Sequence, residues 1–183
     1  MQLTSRHNTN IVVLLKMLSL KKILPPIILL IASLCSNAQP QDENGLNKIQ
    51  QTPIFSIISV PDSTAFTNDQ LPKGKPLVLI FFNPDCEHCQ KETKELLAYK
   101  DELKDIPIVM ASSLPYKLVK EFYAGYNIAS MPNITMGQDA NFVLGRKYQP
   151  SRYPAIFVYD AKGRLAKVFA GGGEVPAIIE ATE

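Results

Sequence analysis

Six apolar residues in succession, Leu77, Val78, Leu79, Ile80, Phe81 and Phe82, stop at Asn83-Pro84-Asp85 and lead into Cys86-Glu87-His88-Cys89. An unbroken apolar run of this length suits a central strand covered on both faces, because a strand with one wet face would alternate. Directly behind the cysteines, Leu96, Leu97, Tyr99 and Leu103 recur at helical spacing among Lys91, Glu92, Lys94, Glu95, Lys100 and Asp101. The cysteine pair therefore sits between a buried strand and the first turn of an amphipathic helix. At such a junction a Cys-x-x-Cys pair supports reversible dithiol–disulfide chemistry.

The third cysteine, Cys35, belongs to a different part of the chain. Residues 1–38 read as an export leader: Lys21 and Lys22 precede an apolar stretch at 23–34, and Ser36-Asn37-Ala38 supplies the small residues a signal peptidase reads, with cleavage expected after Ala38. Met17 just before the lysines makes residues 1–16 a candidate overextended start. The apolar stretch falls short of the roughly 20 residues that span a bilayer. An uncleaved anchor that also used residues 11–15 would be interrupted by Lys16, Lys21 and Lys22, and acylation of Cys35 would require a small residue where Leu34 stands.

Charge follows the same division. Of the 19 basic residues, Arg6, Lys16, Lys21 and Lys22 lie in the leader, whereas all 17 acidic residues follow it, so the remainder carries a formal charge near −2. No basic patch is left to suggest nucleic acid or anionic lipid as a partner. The remainder has the length of one domain with its own core. Two cysteines in an exported chain ordinarily suggest a structural disulfide. Here the two-residue spacing argues otherwise, since closing so short a loop constrains the unfolded chain very little.

Polar residues 39–52 are expected to form a tether ahead of a domain at 53–183. Residues 53–60 read as a strand closed by Pro61-Asp62-Ser63-Thr64, and Lys73-Gly74-Lys75-Pro76 breaks the chain before the apolar run. After the cysteine helix, residues 106–111 form another short buried strand, and Leu118, Phe122 and Tyr126 mark a second helix centred near Val119. This strand–helix–strand–helix rhythm implies parallel strands with right-handed crossovers. Residues 142–148 suggest a short helix. Residues 153–159 and 165–169 then pair as a hairpin across Asp160-Ala161-Lys162-Gly163, and Gly171-Gly172-Gly173 turns the chain into a terminal helix at 175–182.

From residue 53 onward this combination resembles the thioredoxin superfamily, and within it the exported TlpA-like and ResA-like thiol–disulfide oxidoreductases. The resemblance rests on the apolar run leading into Asn83-Pro84-Asp85-Cys86-Glu87-His88-Cys89, on Tyr153-Pro154 before a strand, and on the hairpin that ends in glycines. It implies an α/β thioredoxin-like fold: a central mixed sheet with a parallel βαβ half, a C-terminal antiparallel hairpin, and helices on both faces. It also implies catalytic roles for Cys86 and Cys89 as the redox-active pair. Cys86 would be the nucleophile at the positive end of the helix dipole, and the more shielded Cys89 would resolve the mixed disulfide. Pro154 resembles the family's cis-proline, which sets the backbone of Tyr153 beside the cysteines to hold an extended partner segment.

Departures from the family pattern direct attention to the flanks. Ile80 stands where thioredoxin has a buried aspartate, while Glu92 matches a glutamate that ResA-like members keep close to the thiols, so Glu92 is expected to move protons during exchange. Asp85 replaces a more usual tryptophan. His88, the one histidine outside the leader, is placed to favour the Cys86 thiolate, and Asp85 and Glu87 oppose it. The resemblance implies protein disulfides as substrates, a membrane-side electron donor, a monomer, and neither cofactor nor resident metal. The reducing direction is expected. Two other functions are compatible with the pair: a module that binds a soft metal such as Cu(I) through both thiolates, and a peroxiredoxin, which Asn83 disfavours because that family has threonine there.

Overall fold

The computed structural model describes residues 49–183. Its strands are β1 (Ser56–Ser59), β2 (Ala65–Thr67), β3 (Leu77–Phe81), β4 (Ile108–Ser112), β5 (Ile134–Gln138), β6 (Ala155–Tyr159) and β7 (Leu165–Ala170). The helices are α1 (Glu87–Ala98), α2 (Lys100–Leu103), α3 (Tyr116–Gly125), α4 (Val143–Tyr148) and α5 (Val175–Glu180), and two single 3₁₀ turns cover Asn68–Gln70 and Ile128–Ser130. All seven strands form one mixed sheet in the order β2-β1-β5-β4-β3-β6-β7. Strands β3, β4 and β5 run parallel, β6 pairs antiparallel with β3, and β6–β7 is the expected hairpin.

Every residue of β3 is buried, and the pleat explains how one apolar run serves two cores. Val78, Ile80 and Phe82 face the cluster that holds Cys89 and Leu96 of α1, Val119 and Phe122 of α3, and Val175 and Ile178 of α5. Leu77, Leu79 and Phe81 face a second cluster with Leu144 and Tyr148 of α4 and Phe157 of β6. Helices thus cover both faces, with α1 and α4 on opposite ones. The central strand emerges from this sandwich at the mouth of the Cys86 loop.

Three expectations need correction. Residues 49–52 were read as tether, but they belong to the domain: Leu165 N–H donates to the Gln50 carbonyl (2.9 Å), Thr52 N–H to the Gly163 carbonyl (2.8 Å) and the Tyr159 hydroxyl to the Ile49 carbonyl (3.0 Å). Ile49 is buried in the second cluster. Secondly, β5 and the edge strand β2 went unread, and the strand expected over 53–60 is confined to Ser56–Ser59. Gly137 masks β5 as a break; it is required because a Cβ there would lie 2.6 Å from the Ile58 carbonyl oxygen of neighbouring β1. Lastly, the terminal helix stops at Glu180, short of the expected residue 182. The expected leader at 1–38 lies outside the described residues.

Candidate active site

Cys86 is the N-cap of α1 and is partly exposed, whereas Cys89, one turn in, is only 1% exposed. Both thiols are free. The loop that delivers them is held by its own polar groups: Asp85 N–H donates to Asn83 Oδ1 (2.8 Å) and the Gln90 side-chain amide to the Pro84 carbonyl (3.0 Å). This Asx turn at Asn83 lets the chain leave β3 and enter α1 within five residues. The helix dipole then points its positive end at Cys86.

The two sulfurs have different surroundings. Cys86 Sγ donates toward the Tyr153 carbonyl at 3.8 Å, across 67 residues of sequence. Cys89 Sγ accepts the Asn83 N–H at 3.5 Å. Burial pushes the Cys89 thiol up from an ordinary 9.0 to about 12; the Asn83 N–H opposes this, and the neighbouring Cys86 and Glu92 add to it. Ile80 is fully buried in the same cluster as Cys89, so the place of thioredoxin's aspartate is filled by hydrocarbon. A thiol so placed needs a proton acceptor before it can act as a nucleophile.

Glu92 is the nearest buried carboxyl group, only 6% exposed and three residues beyond Cys89 on the same face of α1. Its Oε2 accepts the Gly173 N–H at 3.2 Å, while Oε1 is buried with no partner among the described residues. Burial is the largest cause of a shift from 4.5 to about 7, offset in part by the Gly173 bond. A solvated first-turn glutamate would behave otherwise. This side chain has been taken out of water and held near the protonation balance of a neutral solution.

The Tyr153–Pro154 peptide bond is cis, as the family resemblance implies, and so is Val60–Pro61, which the sequence reading did not single out. Tyr153 itself is 37% exposed beside Cys86, and Pro154 is buried. The Pro154 carbonyl accepts N–H groups from both Gly171 and Gly172, each at 2.9 Å. Residues from three places in the sequence thus meet here: 83–92, 153–154, and the glycine turn at 171–173. His88 is exposed and makes no hydrogen bond among the described residues, and Asp85 and Glu87 are exposed beside it. Sequence reasoning missed the site roles of Asn83, Gly172 and Gly173. The Asn-Pro-Asp turn signal could have revealed the first; nothing local marks the glycines as facing Glu92.

Among the described residues no group of three or more His, Cys, Asp or Glu side chains is placed to hold a metal ion, and no helix is long and apolar enough to cross a membrane. No curated protein sequence matches the chain. Among solved structures it is similar to a secreted Mycobacterium tuberculosis disulfide oxidoreductase homologous to E. coli DsbE, with a TM-score of 0.60 and 22% identity, covering 74% of this chain and 98% of that one. It is similar also to M. tuberculosis DsbF, with a TM-score of 0.59 and 23% identity over 73% of this chain and 96% of that one. StoA from Bacillus subtilis gives 0.55 and 18%, covering 73% and 99%. These likenesses carry the fold. The thioredoxin-like domain family matches residues 67–181, a span that runs from β2 through the cysteine pair and the cis-proline loop to the end of α5, and the chain belongs to that family.

Proposed function

We propose that the protein is an exported thiol–disulfide oxidoreductase that reduces disulfides in protein partners. The observation that carries this reading is the asymmetry of the pair: Cys86 is accessible at a helix N-terminus, while Cys89 is buried behind it. The Cys86 thiolate attacks one sulfur of the partner's disulfide, forming a Cys86–partner bond and releasing the partner's other sulfur as a thiolate. Cys89 then gives its proton to Glu92, attacks Cys86 Sγ, and expels the second partner thiolate as the Cys86–Cys89 disulfide forms. Two electrons pass from the pair to the partner, and a donor on the membrane side restores the dithiol.

Burial of Cys89 supports the reducing direction, because a dithiol whose thiolate is not stabilised surrenders its electrons more readily. The backbone around Tyr153 and Pro154 lies beside Cys86 and offers the surface on which an extended partner segment is held. Export rests on the leader at 1–38, with Cys35 removed by cleavage. His88, exposed beside Cys86 and without a side-chain hydrogen bond among the described residues, is free in this reading to turn its imidazole toward the Cys86 thiolate.

The test is trapping. Cys89→Ser should hold a disulfide-containing test protein as an adduct through Cys86 that dithiothreitol releases, and wild type should accelerate insulin reduction where Cys86→Ser does not. Absence of both adduct and acceleration would overturn the reading. If reduced protein instead bound Cu(I) tightly at one equivalent without reducing insulin, the soft-metal module would stand in its place. Replacing His88 with Pro should make the pair more reducing, read as the equilibrium against glutathione; an unchanged potential would remove His88 from the mechanism.

A further inference from the structure

The turn between β7 and α5 touches the site at two points, and neither contact was foreseen from its three glycines. Gly171 and Gly172 donate to the Pro154 carbonyl, and Gly173 donates to Glu92 Oε2. Gly172 also leaves a specific space. A Cβ there would stand 2.8 Å from Glu92 Oε2 and 3.7 Å from Pro154 Cγ, so a side chain at 172 and the Glu92 carboxyl group cannot occupy their present positions together.

We propose that Gly172 and Gly173 are positioning residues for Glu92: Gly173 anchors Oε2, Gly172 keeps its seat open, and Oε1 is left as the one atom free to exchange the Cys89 proton. Because a carboxylate has two equivalent oxygens, an unanchored Glu92 would rotate either of them toward any donor that came near. The Gly173 bond breaks that equivalence. It also links the seat to the cis-proline loop, since the same turn grips the Pro154 carbonyl one residue earlier. The proton-carrying part of this inference rests on the oxidoreductase reading above; the seating of the carboxyl group does not.

The groups whose charge reaches Glu92 come from two elements. Cys89, Lys91 and Glu95 lie on α1 with it, and Glu174 is contributed by the turn. Pro154, whose Cγ would stand 3.7 Å from a Cβ at 172, carries no charge. Glu95 and Glu174 push the carboxyl toward its neutral form and Lys91 opposes them, all three less strongly than burial itself. Opening the seat to water would therefore move the titration of Glu92 more than removing any one of these charges.

Gly171 supplies the control that separates seating from backbone strain. Both glycines have positive φ, +94° at Gly171 and +105° at Gly172, so alanine strains either. Yet a Cβ at 171 meets only the Arg152 side chain at 3.9 Å. In the reduced full-length chain, carboxyl-carbon NMR should show the Glu92 midpoint falling by about one pH unit or more in Gly172→Ala, toward the value of a solvated carboxyl. Gly171→Ala should lower the urea midpoint comparably and leave the Glu92 titration at its wild-type position. An unshifted Gly172→Ala, or an equal shift in Gly171→Ala, would overturn the proposal.

Should Gly172→Ala fail to fold, the wild-type chain still decides the matter. The Gly173 amide resonance should titrate with the Glu92 midpoint and lose that inflection in Glu92→Gln; a Gly173 amide indifferent to both would refute the anchor. The two readings part on Glu92→Gln as well. If that variant leaves the pH profile of disulfide exchange unchanged while Gly172→Ala moves the Glu92 titration, proton carriage falls and the seating stands.

Discussion

Glu92 and Cys89 share one face of one helix turn, and burial acts on both in the same direction, against charge. For the thiol this delays ionisation until about 12, and for the carboxyl until about 7, so the second group can accept a proton under conditions where the first cannot lose one to water. The same burial has a consequence for stability. Between 4.5 and about 7 the folded chain binds a proton at Glu92 that the unfolded chain has released, so this group's contribution is complete below 4.5 and is lost as pH rises through about 7. Urea unfolding of the reduced protein should accordingly show wild type losing stability relative to Glu92→Gln across that window. A wild-type-minus-variant difference that stays flat or rises with pH would contradict the burial of an unpartnered Oε1. Glu92 stood out in the sequence through the family resemblance; its depth was not legible there, because the glycine turn that closes over its carboxyl group at Gly172 and Gly173 lies far along the chain, with Gly173 81 residues later.

Elements in this chain are made by local signals and sited by distant ones. Helix α4 is an instance: a short helix was legible at 142–148, and Leu144 and Tyr148 fill the core opposite α1. What begins it is Asp139, 2% exposed, whose Oδ1 accepts the Val143 N–H (2.9 Å) and Oδ2 the Gly145 N–H (2.8 Å). Those N–H groups would otherwise be orphaned at a helix start. Replacing Asp139 with Ala should cost about 2 kcal/mol in urea unfolding, with insulin reduction by the folded fraction unaltered, since α4 lies on the face away from the cysteines. Strand β5 shows the converse. Its Gly137 and Gln138 weaken the strand signal, and only the close approach of β1 gives Gly137 its reason. A short strand flanked by pairing partners on both sides needs little propensity of its own.

At the scale of the whole molecule, the sheet is closed at its hairpin side by residues that looked like linker. Ile49 to Thr52 lie along the β6–β7 turn, and the carbonyl of Ile49 ends a hydrogen-bonded chain that runs through Tyr159 to Tyr148. A chain begun at Pro53 should therefore be less stable than one begun at Gln39 by about 2 kcal/mol or more, from the apolar area of Ile49 and the stranded hydroxyls. Thermal melting of the two forms measures this, and equal midpoints would show the segment to be dispensable. Insulin reduction should survive the truncation, because this contact lies on the face opposite α1. The sequence by itself determined the thiol pair, the buried strand before it and the helix behind it, together with the order of parallel half and hairpin, because these follow from spacing within a few residues and from short-range backbone preference. Only the tertiary structure decided which groups are dry. Desolvation of Glu92 and Cys89, the seat beneath the glycine turn and the inclusion of residues 49–52 all depend on surfaces brought together across the chain, and a carboxyl group's protonation is set by what covers it rather than by what precedes it in sequence.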